Sequence, residues 1–134
     1  MNISILSLDG RAYTNLDIID YEISPEVLDG EGTGRTKAPG WDMIRDPQGL
    51  LTNLYIEVAA THNQNQDFLH LYSVGKRMGR EDFVPAVFMD LDGEIINQLV
   101  YIKIQRVKGE KFERNGKIYV GAMKVSIIAK KGVV

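Results

Sequence analysis

From Leu50 the chain alternates cleanly: Thr52, Leu54, Ile56, Val58 and Ala60 fall on one side, and Leu51, Asn53, Tyr55, Glu57 and Ala59 on the other. A two-residue period of this kind predicts a strand with one face toward a core. The period then changes. Phe68, Leu71, Tyr72 and Gly75 recur at helical spacing, which predicts one amphipathic helix of about four turns over residues 63–78. Asn63 followed by Gln66 offers a helix start, Asp67 suits the first turn, and Lys76 and Arg77 suit the last turn before Gly79. The stripe Phe68, Leu71, Tyr72, Gly75 is the face expected to pack on a sheet.

Residues 3–8 and 16–23 are dense in apolar side chains with Asp9-Gly10 as a turn between them, and they read as an opening pair of strands. After the helix come a strand over 84–89, the turn Asp90-Leu91-Asp92-Gly93, and a long strand over 94–107. Val100, Ile102 and Ile104 mark one face of that strand and Leu99 and Tyr101 the other, so its middle is expected to be covered on both sides. Asn115-Gly116 is the strongest hairpin signal, because both central positions of a type I′ turn take positive φ. The strand after it is expected to run unbroken to Ala129. With no internal repeat and no dividing linker, the 134 residues read as a single domain, 1–134. The expected fold class is mainly β (α+β): an antiparallel sandwich or barrel-like sheet with one flanking helix and a long loop between early strands.

That loop is the stretch 29–49, DGEGTGRTKAPGWDMIRDPQG, with five glycines, two prolines and no sustained period. An irregular segment of about 20 residues inside a compact domain is usually functional or disordered. Trp41, Met43 and Ile44 require a surface to bury against, and Arg35, Lys37, Arg45 and Asp46 flank them. Tryptophan and arginine are the types most enriched at binding hot spots. These seven residues, Arg35, Lys37, Trp41, Met43, Ile44, Arg45 and Asp46, are therefore the candidate partner-binding set, ordered by a neighbouring chain.

Composition narrows the alternatives. Without cysteine there is no disulfide framework and no thiolate metal site. The opening residues lack the basic head and apolar run of a secretion signal, so a cytoplasmic location is expected, and no apolar run reaches the roughly 20 residues of a membrane helix. Sixteen basic against eighteen acidic residues give a net charge of −2 with the signs mixed along the chain, unlike the basic face of a nucleic-acid binder. The small basic excess at Lys124, Lys130 and Lys131 reads as a solvated strand edge.

Catalytic patterns fail on spacing. Gly30-Glu31-Gly32-Thr33-Gly34-Arg35-Thr36-Lys37 is neither a phosphate loop nor a dinucleotide fingerprint. His62 and His70 do not match a zinc motif, and Asp90, Asp92 and Glu94 open like a calcium loop but lack its distal glutamate, leaving an acidic turn. No serine sits in a nucleophile elbow. The expectation is a protein with no catalytic site, metal or cofactor.

On Gly34-Arg35-Thr36 followed by Met43-Ile44-Arg45-Asp46, then a strand, a helix and closing hairpins, the chain resembles a family of small proteins from the tail modules of phages and prophages of Gram-positive bacteria. It departs from that family where Asp46-Pro47-Gln48-Gly49 replaces a shorter, more basic turn. In element order it is similar to the tail-tube and tail-terminator building block. The resemblance implies a virion structural protein that forms a homo-oligomer or ring and contacts other tail proteins. Its implied location is the bacterial host's cytoplasm during assembly and afterwards the virion tail. The rival expectations are a small ligand- or peptide-binding β-barrel, which predicts an apolar pocket and a monomer, and an enzyme with a spatially assembled site.

Overall fold

A computed structural model describes residues 6–29, 34–35, 43–44, 47–112 and 116–131. Its elements in chain order are β1 (Leu6–Leu8), β2 (Arg11–Ala12), β3 (Ile18–Asp29), β4 (Gly34–Arg35), β5 (Met43–Ile44), β6 (Pro47–Val58), β7 (Thr61–His62), α1 (Gln66–Arg77), β8 (Val84–Met89), β9 (Ile95–Ile104), β10 (Gly109–Phe112), β11 (Ile118–Val120) and β12 (Met123–Ala129). The fold class is the one read from the sequence: mainly β and antiparallel, with one helix. Seven strands form one sheet in the order β2-β1-β8-β9-β12-β6-β3, while β10-β11-β7 and β4-β5 form smaller ladders.

Alternation decides which face is buried. Leu6 and Leu8, Val84, Ala86 and Phe88, Val100 and Ile102, Met123, Val125 and Ile127, and Leu54, Ile56 and Val58 all point to one side and are buried there. The sheet curls around this face. Tyr21 on β3 donates its hydroxyl to the Met89 carbonyl at the end of β8, although four strand steps of about 4.8 Å separate those strands along the sheet. Where β12 stops pairing with β6, buried Asn53 takes over and accepts from the Ala129 N–H at 3.0 Å.

α1 closes the concave face through Phe68, Leu71 and Val74. One member of the expected stripe needs correction: Tyr72 is exposed and stacks on Phe68 beneath Lys76, and Val74, outside that stripe, takes the core position. The helix starts later than expected, with Asn65 as the cap accepting from the Asp67 and Phe68 N–H groups. Gly75 is where helix and sheet meet most closely. A Cβ there would lie 2.3 Å from Ile104 Cδ1 and 2.9 Å from its Cγ1. Gly75→Ala is expected to cost about 1–3 kcal/mol by overpacking, against roughly 1 kcal/mol gained in helix propensity. In urea unfolding, its cost should shrink in an Ile104→Val background, where the nearest methyl is gone.

Further differences concern pairing partners. Asp9-Gly10 does turn the chain, with positive φ at both residues, but β1 pairs with the short β2, and β3 lies at the far edge beside β6. The closing strand is broken: β11 belongs to the small ladder and β12, after Gly121-Ala122, sits between β9 and β6. Lys124, Lys130 and Lys131 are thus on or just past a central strand rather than an edge. Leu99 and Tyr101 are exposed, so β9 is covered on one face only. Gly116 has positive φ and β10 pairs with β11, while Asn115 of the expected turn lies outside the described residues.

Candidate functional site

The segment read as an irregular loop is bounded by strands. β3 and β6 form a long antiparallel hairpin whose register runs from Ile18 opposite Val58 to Asp29 opposite Pro47. Beyond it Gly34 pairs with Ile44 and Arg35 with Met43. The alternation signal fails here because the far half of the hairpin has no buried face to record. β12 pairs with β6 only opposite Leu54 to Val58, so toward Pro47 the two strands have only each other among the described residues. Val27 and Leu50 stand directly opposite one another there, 58% and 39% exposed. Of the candidate partner-binding set, Arg35, Met43 and Ile44 are brought together by the β4-β5 ladder, while Lys37, Trp41, Arg45 and Asp46 lie outside the described residues.

A polar cluster that the sequence reading missed joins α1 to the β1-β2 turn. Asp67, 4% exposed, accepts from the backbone N–H groups of Thr14 and Asn15 at 3.1 and 2.7 Å and from Arg11 Nε at 2.9 Å. Burial pushes its pKa up, but the Asn15 N–H, Arg11 and the Thr14 N–H outweigh that and hold the carboxyl below its ordinary value. Tyr13 OH lies 2.7 Å from His70 Nδ1. Burial raises the pKa of the Tyr13 phenol, with Asp67 adding to it, and burial together with Arg11 lowers that of His70. Arg77 closes the cluster on Asp9 and Glu81 at 2.9 and 2.8 Å. Every one of these groups is occupied by another, which is the chemistry of an interlock between helix and turn. His62 is elsewhere, in β7, edge-on to Tyr119.

At the β8-β9 turn the Asp90, Asp92 and Glu94 carboxylates come within 4.8 Å of one another. Asp90 and Asp92 each accept a backbone N–H, from Leu91 and Glu94, and Gly93 has φ +89°, which is the hydrogen-bonding of a tight acidic turn.

The outer face of the sheet carries a charge gradient. Read across the strands, one row runs Asp20, Glu57, Lys124 and the next Glu22, Tyr55, Ser126, Lys103. The acidic end is the β3 edge. Beside the basic end, Lys103, Arg106 and Lys124 line an open cleft of about 630 Å³ with Glu57 on its wall. Leu99, Tyr101, Ile95 and Met89 expose apolar surface on β9 and β8. This segregation corrects the reading of evenly mixed charge. No lysine or arginine occurs from residue 12 to 34, where there are six acidic residues, and residues 103–131 hold nine basic against two acidic.

No helix among the described residues is long and apolar enough to cross a membrane. Compared with protein-family models, curated proteins and solved structures, the chain matches none.

Proposed function

We propose that this chain is a non-catalytic structural subunit of a phage or prophage tail that associates with further copies of itself, and with other tail proteins, through the hairpin arm around residues 29–49. In this reading it takes no cofactor, is made in the bacterial host's cytoplasm and ends in the virion tail. The observation that supports it is the distal half of the β3-β6 hairpin, where Val27 and Leu50 form an exposed apolar pair with no third strand beside them among the described residues. A lone two-stranded hairpin is marginal in water, and contact with another chain would cover that surface.

The test is light scattering over a concentration series together with unfolding, on the wild type and on Trp41→Ala. If Trp41 anchors the arm in a neighbour, its loss leaves the unfolding midpoint nearly unchanged and weakens association by about 2 kcal/mol, or roughly thirtyfold in Kd. Loss of about 3–5 kcal/mol of stability with unaltered association would make Trp41 a core residue and remove the arm from assembly. A wild type that stays monomeric throughout would return the ligand-binding reading.

A further inference from the structure

The outer face carries an acidic and a basic group of side chains that adjoin at a shallow pocket lined by Asp20, Glu22, Glu57 and Lys124. Asp20 and Glu22 are exposed on β3, and Lys103, Arg106 and Lys124 are exposed around the cleft. Two strand steps separate Asp20 from Lys124 and three separate Glu22 from Lys103, roughly 10 and 14 Å. Among the described residues none of these five takes part in an ion pair.

β3 is also a sheet edge, and its residues limit what can lie against it. Pairing two β3 edges would set Asp20, Glu22 and Glu26 against the same acidic strand of another copy, and like charges directly opposite are destabilising. Pro25 lacks the N–H that an added strand would need. A contact at this edge is therefore made by side chains, and it favours a basic surface. The cleft offers three cations against the single carboxylate of Glu57.

We propose, building on the reading of the chain as a self-associating subunit, that the acidic edge of β3 in one copy, through Asp20 and Glu22, seats against the basic cleft of Lys103, Arg106 and Lys124 in the next. Because both surfaces lie on one face, the contact closes as a twofold pair, edge on cleft and cleft on edge at once, or repeats head-to-tail into rings or filaments, and the mass from light scattering separates the two. Complementary charge of this kind sets register and encounter rate, and salt screens it, the Debye length falling from about 10 Å at 0.1 M to 3 Å at 1 M.

Charge reversal tests it on the full chain. Asp20→Lys/Glu22→Lys gives copies with a basic edge and a basic cleft, and Lys103→Glu/Lys124→Glu gives copies acidic at both. All four positions are exposed, and unchanged circular dichroism and thermal midpoints would confirm folding. Each variant alone should associate at least about tenfold more weakly than wild type at low ionic strength, the deficit shrinking toward 1 M salt. Mixed in equal amounts, the two should associate as wild type does, since each then meets its complement. If the wild type assembles and both variants alone assemble as tightly at low salt, the edge-to-cleft contact is wrong while the assembly reading stands. Weak variants whose mixture fails to recover would also overturn it. A wild type that never associates would remove the assembly reading itself.

Discussion

Leu71→Ala should lower unfolding stability by about 2–5 kcal/mol, among the largest single-residue effects in the protein. Leu71 is fully buried in the cluster that α1 shares with the concave face of the sheet. Deleting its side chain removes apolar burial and leaves a cavity that surrounding strands fill only in part. Its neighbour on the predicted stripe makes the control. Tyr72 is 39% exposed and stacked on Phe68, so Tyr72→Ala should cost about 1 kcal/mol, in the range of an aromatic contact. Denaturant titrations of both variants test the helix orientation directly. Equal losses at the two positions would mean that Tyr72, too, is in the core.

Asp67→Ala is expected to cost about 2–4 kcal/mol, although the residue it pairs with contributes little by itself. The substitution leaves the N–H groups of Thr14 and Asn15 without their acceptor and Arg11 without its carboxylate, and unsatisfied donors around a buried site carry most of the loss. Arg11→Ala should cost under about 1 kcal/mol, because its side chain is 46% exposed and solvent screens the pair.

The same cluster sets a pH dependence. Asp67 is held below its ordinary 3.8 in the folded chain, so its contribution is complete above that value and is lost as pH falls through the folded one. The folded state lowers the pKa of His70 from 6.5. The unfolded chain then takes up that proton first, and the neutral imidazole's contribution is likewise whole above 6.5 and erodes as pH falls. Wild-type stability should decline from about pH 6.5 downward and more steeply below about pH 4. Asp67→Ala should flatten the lower limb, and a variant with the wild-type acid slope would show that another carboxylate governs it.

The candidate assembly surface was only partly legible in the chain. The arm's glycines, Trp41 and flanking charges can be read in one dimension, and they mark residues 29–49. The edge and the cleft could not be read so. Asp20 and Lys124 are more than a hundred residues apart, and nothing local says that Glu57 lies between them. Their row exists because β6 pairs with β3 on one side and β12 on the other.

Short-range physics controls the features that can be read from the residues alone. Alternation at Thr52, Leu54, Ile56 and Val58 specified a strand and its buried face, and the 3.6-residue spacing of Phe68, Leu71 and Gly75 specified a helix. The Asp9-Gly10 and Asp90-Gly93 turns follow from residues that accept positive φ or fold a carboxylate onto a neighbouring N–H. Which strands become neighbours is a property of the folded core. β1 takes β2 and β8 rather than β3, and the last strand breaks at Gly121-Ala122 to enter the centre of the sheet. Strand order is set by which apolar faces can be buried together once the sheet curls, a property of the whole core. For the same reason Tyr72 gives way to Val74: the helix is rotated to bring Gly75 onto Ile104, and that close approach, invisible in a helical period, sets which side chains point inward.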